Sequence, residues 1–179
     1  NEQIMAWMMD TYSMNVGHSA TGVVTGKPLA LGGSLGRNRA TGQGVFYIAR
    51  ETGRRLRIPI EGARVAIQGF GNVGRPAAEL FAANGAKVIA VQDAYGTLYA
   101  ERGLDIPALM QVGDEKGGVA ASGLGEKVDA ETFWDLPTDY LVPAAMENQG
   151  TEQRSKRIRT RALIEGANGP TTPAADDVL

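Results

Sequence analysis

Cysteine is absent from the 179-residue chain, and histidine occurs once, at His18. The first absence excludes disulfides, thiolate nucleophiles, Fe–S clusters and cysteine-ligated zinc. The second leaves no HExxH-type metal site and argues against a Ser/His/Asp triad; His18, in a Gly/Ser loop, is expected to be an exposed or capping residue. No metal site is therefore assigned. Eighteen basic and 20 acidic side chains give a net charge of −2, so neither nucleic acid nor an anionic membrane is an expected partner. No apolar run approaches the roughly 20 residues that span a bilayer. Asn1-Glu2-Gln3 is neither a basic signal region nor a transit peptide, and the expected compartment is the cytoplasm.

What the chain has is apolar content, 43%, and 24 glycines. A single domain of this length hides about 70% of its unfolded surface. Ile4, Met8 and Tyr12 fall on one helical stripe, with Met5, Trp7 and Met9 beside it, and core packing is the expected use of that face. Residues 17–44 break into glycine-rich loops and short apolar pieces. A helix is predicted from about Asn38 to Arg55, with Val45, Ile48 and Ala49 inward and Gly42 and Gly44 allowing close approach to its first turns.

From Arg64 onward the grammar is βαβ. Val65-Ala66-Ile67 reads as a strand, then Val73, Ala77, Leu80 and Phe81 mark a helix face that Gly85 ends, with Pro76 tolerated in the first turn. Lys87 to Val91 is the second strand. A helix near 105–112, a glycine-rich connection at 113–125, a strand at Tyr140–Val142, a basic helix at 151–159 and a strand at Ala162–Ile164 follow. Thr172-Pro173 supplies an N-cap and first residue for a last helix. The fold class this implies is α/β, a Rossmann-like doubly wound, mostly parallel sheet with helices on both faces.

Gly69-Phe70-Gly71-Asn72-Val73-Gly74 fits G-x-G-x-x-G. A lone match is weak, but here a strand precedes it, a helix follows, and Asp93 lies 19 residues past the last glycine. Gly69 makes the tight turn, Gly71 lets a pyrophosphate touch backbone, and Gly74 lets helix and strand pack. The helix start offers free N–H groups and partial positive charge. Asp93 is placed to accept hydrogen bonds from ribose hydroxyls. By contrast, Gly22-Val23-Val24-Thr25-Gly26-Lys27 is no P-loop, because three residues separate its glycines and Pro28 stands where Ser or Thr must bind magnesium. The basic run Arg154, Lys156, Arg157, Arg159 and Arg161 lacks interleaved aromatics and reads as a solvated helix face.

Three segments resemble the glutamate dehydrogenase family. They are Val24-Thr25-Gly26-Lys27-Pro28 through Gly32-Gly33-Ser34-Leu35-Gly36-Arg37; Arg39-Ala40-Thr41-Gly42-Gln43-Gly44-Val45; and Glu165-Gly166-Ala167-Asn168-Gly169-Pro170-Thr171-Thr172-Pro173. The GFGNVG turn and Val142-Pro143-Ala144-Ala145 fall between them in the family's order, so the likeness covers essentially the whole chain. It implies that residues 1–179 are a truncated NAD(P)-binding domain, with the substrate domain, its catalytic lysine and aspartate motifs, and the end of the coenzyme domain lying outside.

The resemblance further implies that Thr41, Asn72 and Val73 contact the nicotinamide cofactor and that Ala144 and Ala145 border its adenosine or ribose. It puts Asn168 near the nicotinamide ribose and the substrate amino group, and Arg37 at the substrate edge of the cleft. The implied reaction is NAD(P)-dependent oxidative deamination of L-glutamate to 2-oxoglutarate and ammonia, in a parent homohexamer. Leucine and phenylalanine dehydrogenases have a different stretch before the threonine, so the glutamate branch is favoured. With Asp93 closing the second strand, NAD is the expected cofactor and NADP the alternative. The competing reading is a non-catalytic dinucleotide-sensing module, which needs only the turn and Asp93.

Overall fold

A computed structural model describes residues 1–112 and 117–179. The chain forms two compact units, Asn1–Ala40 and Thr41–Leu179. Part of the glycine-rich connection expected at 113–125 lies outside the described residues.

In the first unit, helix α1 (Glu2–Val16) starts at Asn1, whose side chain accepts the Ile4 N–H at 3.1 Å, and ends at a left-handed Gly17. The expected inward stripe is corrected: Ile4, Met8 and Tyr12 are exposed, Trp7 is 63% exposed, and only Ala6 and Met9 are buried. The cause is a shortage of cover within the unit. Its other elements are single 3-10 turns, Thr21–Val23 and Leu29–Leu31, which bury no residue of their own. Lys27 is tied to the Val24 carbonyl at 3.2 Å, and no strand–helix frame surrounds it.

The second unit is built on a six-stranded sheet in the order β4-β3-β2-β1-β5-β6. The strands are β1 (Arg64–Gln68), β2 (Lys87–Asp93), β3 (Gly96–Tyr99), β4 (Glu126–Val128), β5 (Pro137–Pro143) and β6 (Arg159–Leu163). β2, β1, β5 and β6 pair in parallel, while β3 runs antiparallel to both its neighbours. The chain leaves β1 for β2 on one side and later returns as β5 on the other, so the order reverses between β1 and β5. Open α/β sheets bind ligands at that reversal, outside the carboxyl ends of the strands.

Alternation along the strands feeds two cores. Val65, Ile67, Tyr140 and Val142 join Phe46 and Phe81, whose rings meet edge to face at 5.4 Å. Ala66, Ala90 and Leu141 face the other way and pack with Phe133 and Trp134. Helix α2 (Arg37–Leu56) buries Gly42, Val45, Phe46, Ala49 and Gly53, a single helical stripe. Ile48 is therefore not inward as expected: it is exposed, and Phe46 fills the place assigned to it. Close approach is needed at Gly42, where a Cβ would come within 2.7 Å of the Val73 carbonyl oxygen, and not at Gly44.

Helix α3 (Gly74–Ala83) follows β1, with α4 (Ile106–Val112), α5 (Thr132–Asp135), α6 (Glu152–Ser155) and α7 (Pro173–Asp176) after it. Thr172 caps α7 as expected, its side chain accepting the Ala175 N–H. The expected basic helix over 151–159 shrinks to α6, one turn long, and Arg159 already opens β6. Its charges are not simply solvated either. Arg154 and Arg157 both pair with Glu131, and Arg161 reaches Asp139 at 3.4 Å.

Candidate functional site

The end of β1 turns into α3 through Gly69–Gly74, and each glycine of the turn has a distinct geometric reason. Gly69 has φ +93°, and a Cβ there would lie 2.6 Å from the Ala144 carbonyl oxygen. At Gly74 a Cβ would lie 1.7 Å from the Gly69 carbonyl oxygen. At Gly71 it would meet nothing within 4 Å. The first and third glycines are required by the protein's own packing, whereas the middle one faces open space. That is the pattern expected where a ligand, not the protein, lies against the backbone. α3 carries no side-chain cap; the Arg75 N–H donates to the Gly71 carbonyl at 3.0 Å and the Ala77 N–H to the Val73 carbonyl at 3.2 Å, while Pro76 has none, so backbone alone closes the helix start.

The space in front of Gly71 is a cleft of about 760 Å³ at the carboxyl ends of β1, β2 and β5. Backbone bonds join those ends: Gly69 N–H donates to the Gln92 carbonyl at 2.6 Å, and Ala144 N–H to the Gln68 carbonyl at 2.7 Å. Of the residues expected at the site, Gly69, Phe70, Gly71, Asp93 and Ala145 line this cleft. Val73, Gly74 and Ala144 sit just behind it. Gly166 lies so close to Ala144 and Val73 that a Cβ would come within 2.8 Å of the Ala144 Cβ.

Asn72, at the tip of the turn, is exposed, and so are Thr41 and Asn168; none of the three lines the cleft. Thr41 is next to Gly42, whose close approach to Val73 puts this turn of α2 beside the start of α3. The segment leading to Asn168 is held beside β5, since the Gly166 and Ala167 N–H groups both donate to the Pro143 carbonyl. Arg37 belongs to the first unit and is exposed.

Asp93 is held more firmly than its sequence position suggests. Oδ1 accepts the N–H of Tyr95 at 2.8 Å and of Gly96 at 3.1 Å, closing the β2–β3 hairpin. Oδ2 accepts the Val119 N–H at 2.7 Å, which requires Gly118, since a Cβ there would lie 2.1 Å from that oxygen. An ionised carboxylate offers about four acceptor positions. Three are taken, and the carboxylate cannot swing out of the cleft without breaking all three bonds.

Sequence reasoning missed the polar floor. Gln68 Nε2 donates to Gln92 Oε1 at 3.1 Å and to Gln149 Oε1 at 3.3 Å, and Gln92 Nε2 donates to Thr97 Oγ1 at 2.7 Å. Gln68 Oε1 is buried and has no partner. An acceptor left unmet at the base of a cleft is costly unless a donor arrives. Arg154 also lines the cleft, lying over the Trp134 ring and bonded to the Gln149 carbonyl at 2.7 Å. The hydrogen bonds of Arg154, and after them those of Arg157, hold the Glu131 carboxyl below its ordinary pKa. A signal for Gln68 and Gln92 was present: two glutamines end adjacent apolar strands, where solvent-facing residues are not expected.

The residues present fit a dinucleotide: bare backbone at Gly71, a helix start without a side-chain cap, a fixed carboxylate at the end of β2 and an unmet acceptor between them. Among the described residues no group of three His, Cys, Asp or Glu side chains could hold a metal ion, and no helix is long and apolar enough to cross a membrane.

Comparison with known proteins finds relatives along the whole chain. Residues 32–179 match the family model for glutamate/leucine/phenylalanine/valine dehydrogenases. The chain is 48% identical to a glutamate dehydrogenase of Thermotoga maritima, aligning over its whole length with 43% of that protein. It is 45% identical to a cryptic catabolic NAD-specific glutamate dehydrogenase of Bacillus subtilis, again covering 42% of the relative. Among solved structures, 99% of the chain superposes on 42% of a chain of the hetero-hexameric glutamate dehydrogenase of Thermus thermophilus in its leucine-bound form, with a TM-score of 0.89 and 38% identity. The chain thus spans less than half the length of these relatives.

Proposed function

Because the chain belongs to the glutamate/leucine/phenylalanine/valine dehydrogenase family, we propose that it is the coenzyme-binding part of an amino-acid dehydrogenase that converts L-glutamate to 2-oxoglutarate and ammonia, with NAD preferred over NADP. The observation that carries the reading is the open space at Gly71, set between two glycines that the protein's own packing demands. The pyrophosphate would lie against Gly71 and the start of α3, and the adenosine ribose would take the remaining acceptor position of Asp93. Ala144 and Ala145 would border the adenosine or its ribose, with Phe70 also on the cofactor. Thr41, Asn72, Val73 and Asn168 would border the nicotinamide half, and Arg37 the substrate. When bound, the nicotinamide supplies the hydride acceptor. The protein's part is to orient it and to exclude water.

The NAD preference rests on Asp93. A 2′-phosphate carries about −1.5 to −2 charges, taking the value for phosphorylated side chains. A carboxylate fixed by three backbone N–H groups cannot turn away from it. The catalytic lysine and aspartate are proposed to lie in the remainder of the parent enzyme, together with the contacts that build its hexamer. Calorimetric titration of NADH and NADPH into this chain, beside a glutamate-oxidation assay, tests the reading. Saturable binding with tighter NADH and no turnover is expected. Absence of dinucleotide binding overturns the site, and glutamate oxidation by this chain alone overturns the placement of the catalytic groups.

A further inference from the structure

At the opposite end of the sheet, away from the cleft, α2 ends in a group of arginines. Arg50, Arg54 and Arg57 line a shallow groove of about 400 Å³ whose other wall is Ile58, Pro59 and Ile60. We propose that this groove binds the phosphate group of a small organic phosphate, with the three guanidinium groups on the phosphate and the Ile58–Pro59–Ile60 wall against the organic part.

Three observations carry this. Arg57 has φ 56°, the left-handed conformation, at the position just past the helix where glycine is the usual residue. The only other non-glycine residue with positive φ among those described is Asn148, of a type that tolerates it. A chain with 24 glycines that places arginine here keeps the side chain for what it does. Second, Arg50 Nε is buried without a hydrogen bond, its guanidinium stacked 5.0 Å over the Tyr47 ring and sharing with Arg54 the Glu51 carboxylate, 3.7 Å away. Third, the charge is unbalanced. Glu51 is the one carboxylate paired with the group, held by Arg54 at 2.7 Å, while Arg57 has no ion pair among the described residues.

Complementing the negative end of α2 accounts for Arg54, in its last turn. It does not account for Arg57, beyond the helix, or for the unmet Arg50 Nε. The groove is also rigid. Ile58 N–H donates to the Gly53 carbonyl at 2.9 Å, and the Tyr140 hydroxyl donates to the Ile58 carbonyl at 2.8 Å. Guanidinium groups from separate positions surround a tetrahedral oxyanion better than a planar one, which favours phosphate over carboxylate.

The test is calorimetric titration of inorganic pyrophosphate at constant ionic strength. Saturable binding is expected in the wild type and in Gly71→Val, whose cofactor turn is blocked. Arg57→Gly and Arg50→Gln, each added to Gly71→Val, should weaken it at least about tenfold. Arg57→Gly relieves the backbone and should raise Tm, so loss of binding there cannot come from unfolding, and as a single variant it should leave NADH affinity unchanged. The proposal is overturned if these double variants bind pyrophosphate like Gly71→Val alone, if Gly71→Val shows no saturable binding, or if tricarballylate binds as tightly as pyrophosphate.

Discussion

The two ends of one sheet are closed by different means. At the carboxyl end, backbone hydrogen bonds donated by small residues join β1 to β2 and β5, Gly69 to Gln92 and Ala144 to Gln68, and tie the segment after β6 to β5, Gly166 to Pro143. At the amino end the backbone also joins β1 to β2, Lys87 N–H to the Ala63 carbonyl at 2.7 Å, but charged side chains are added to it. The Arg64 N–H meets Asp139 Oδ2 at 2.9 Å, its Nε reaches the Pro137 carbonyl at 3.0 Å, and its guanidinium pairs with Glu101, which also takes the Tyr99 hydroxyl. Long charged side chains fill space and answer to pH and salt, whereas bare backbone leaves a cavity and answers to sterics. A ligand site needs the second kind of edge. Substitutions at the two ends should therefore differ in kind.

The largest effect should come from Gly74→Ala. Its Cβ would stand 1.7 Å from the Gly69 carbonyl oxygen, and the obstacle is backbone that cannot rotate aside. Overpacking of this kind costs about 3 kcal/mol, or roughly 6–12 °C in Tm for a domain of this size. Gly71→Ala, with open space around it, should stay within about 0.5 kcal/mol of wild type. Equal melting temperatures for the two variants would erase the distinction between a glycine that packs and one that waits for a ligand.

The carboxyl end was also the end more legible in the sequence, because its main device is local. Gly69, Gly71 and Gly74 act within six residues, and the strand and helix beside them follow from apolar spacing alone. Asp93 was legible as a strand end, but its grip on Val119, 26 residues away, was not. The Gly117–Gly118 pair that permits it looked like any loop. Gln68 and Gln92 were overlooked because burial of a glutamine depends on a partner across the sheet. The β3 strand was missed because alternating βαβ units suggest only parallel neighbours, while a two-residue turn at Ala94-Tyr95 sends the chain straight back. On α1 a helical stripe was read as core, but periodicity says which residues share a face and not whether anything covers it.

Next in size is Gly71→Val, which places two methyl groups where the pyrophosphate is proposed to lie. NADH affinity should fall at least about tenfold, or 1.4 kcal/mol, while Tm moves little. Unchanged affinity in calorimetry would remove the cofactor from this edge. Asp93→Ser should act more mildly and in two ways. It removes the acceptor for the Val119 N–H, lowering stability by about 1 kcal/mol. It also removes the fixed charge, so NADPH affinity should rise severalfold relative to NADH. A ratio that does not move would leave Asp93 as a hairpin latch and nothing more.

The smallest effect, and the one that most sharpens the contrast, belongs to Glu101. Hydrogen bonds from the Arg64 guanidinium, and then from the Tyr99 hydroxyl, take its carboxyl from 4.5 down to about 2. A folded-state pKa below the unfolded one means that the stabilisation is fully present above pH 4.5 and is lost as pH falls toward 2. Urea midpoints of wild type and Glu101→Gln should therefore differ above pH 4.5, converge through that window, and coincide once pH is below about 2. Because the pair is exposed, added salt should shrink the difference at neutral pH. The Gly71→Ala and Gly74→Ala differences at the other end involve no titrating group, so they should stay constant over the same range. A Glu101→Gln difference that also stays constant would mean that the amino end is held by shape, and that the two edges do not differ in the way their atoms suggest.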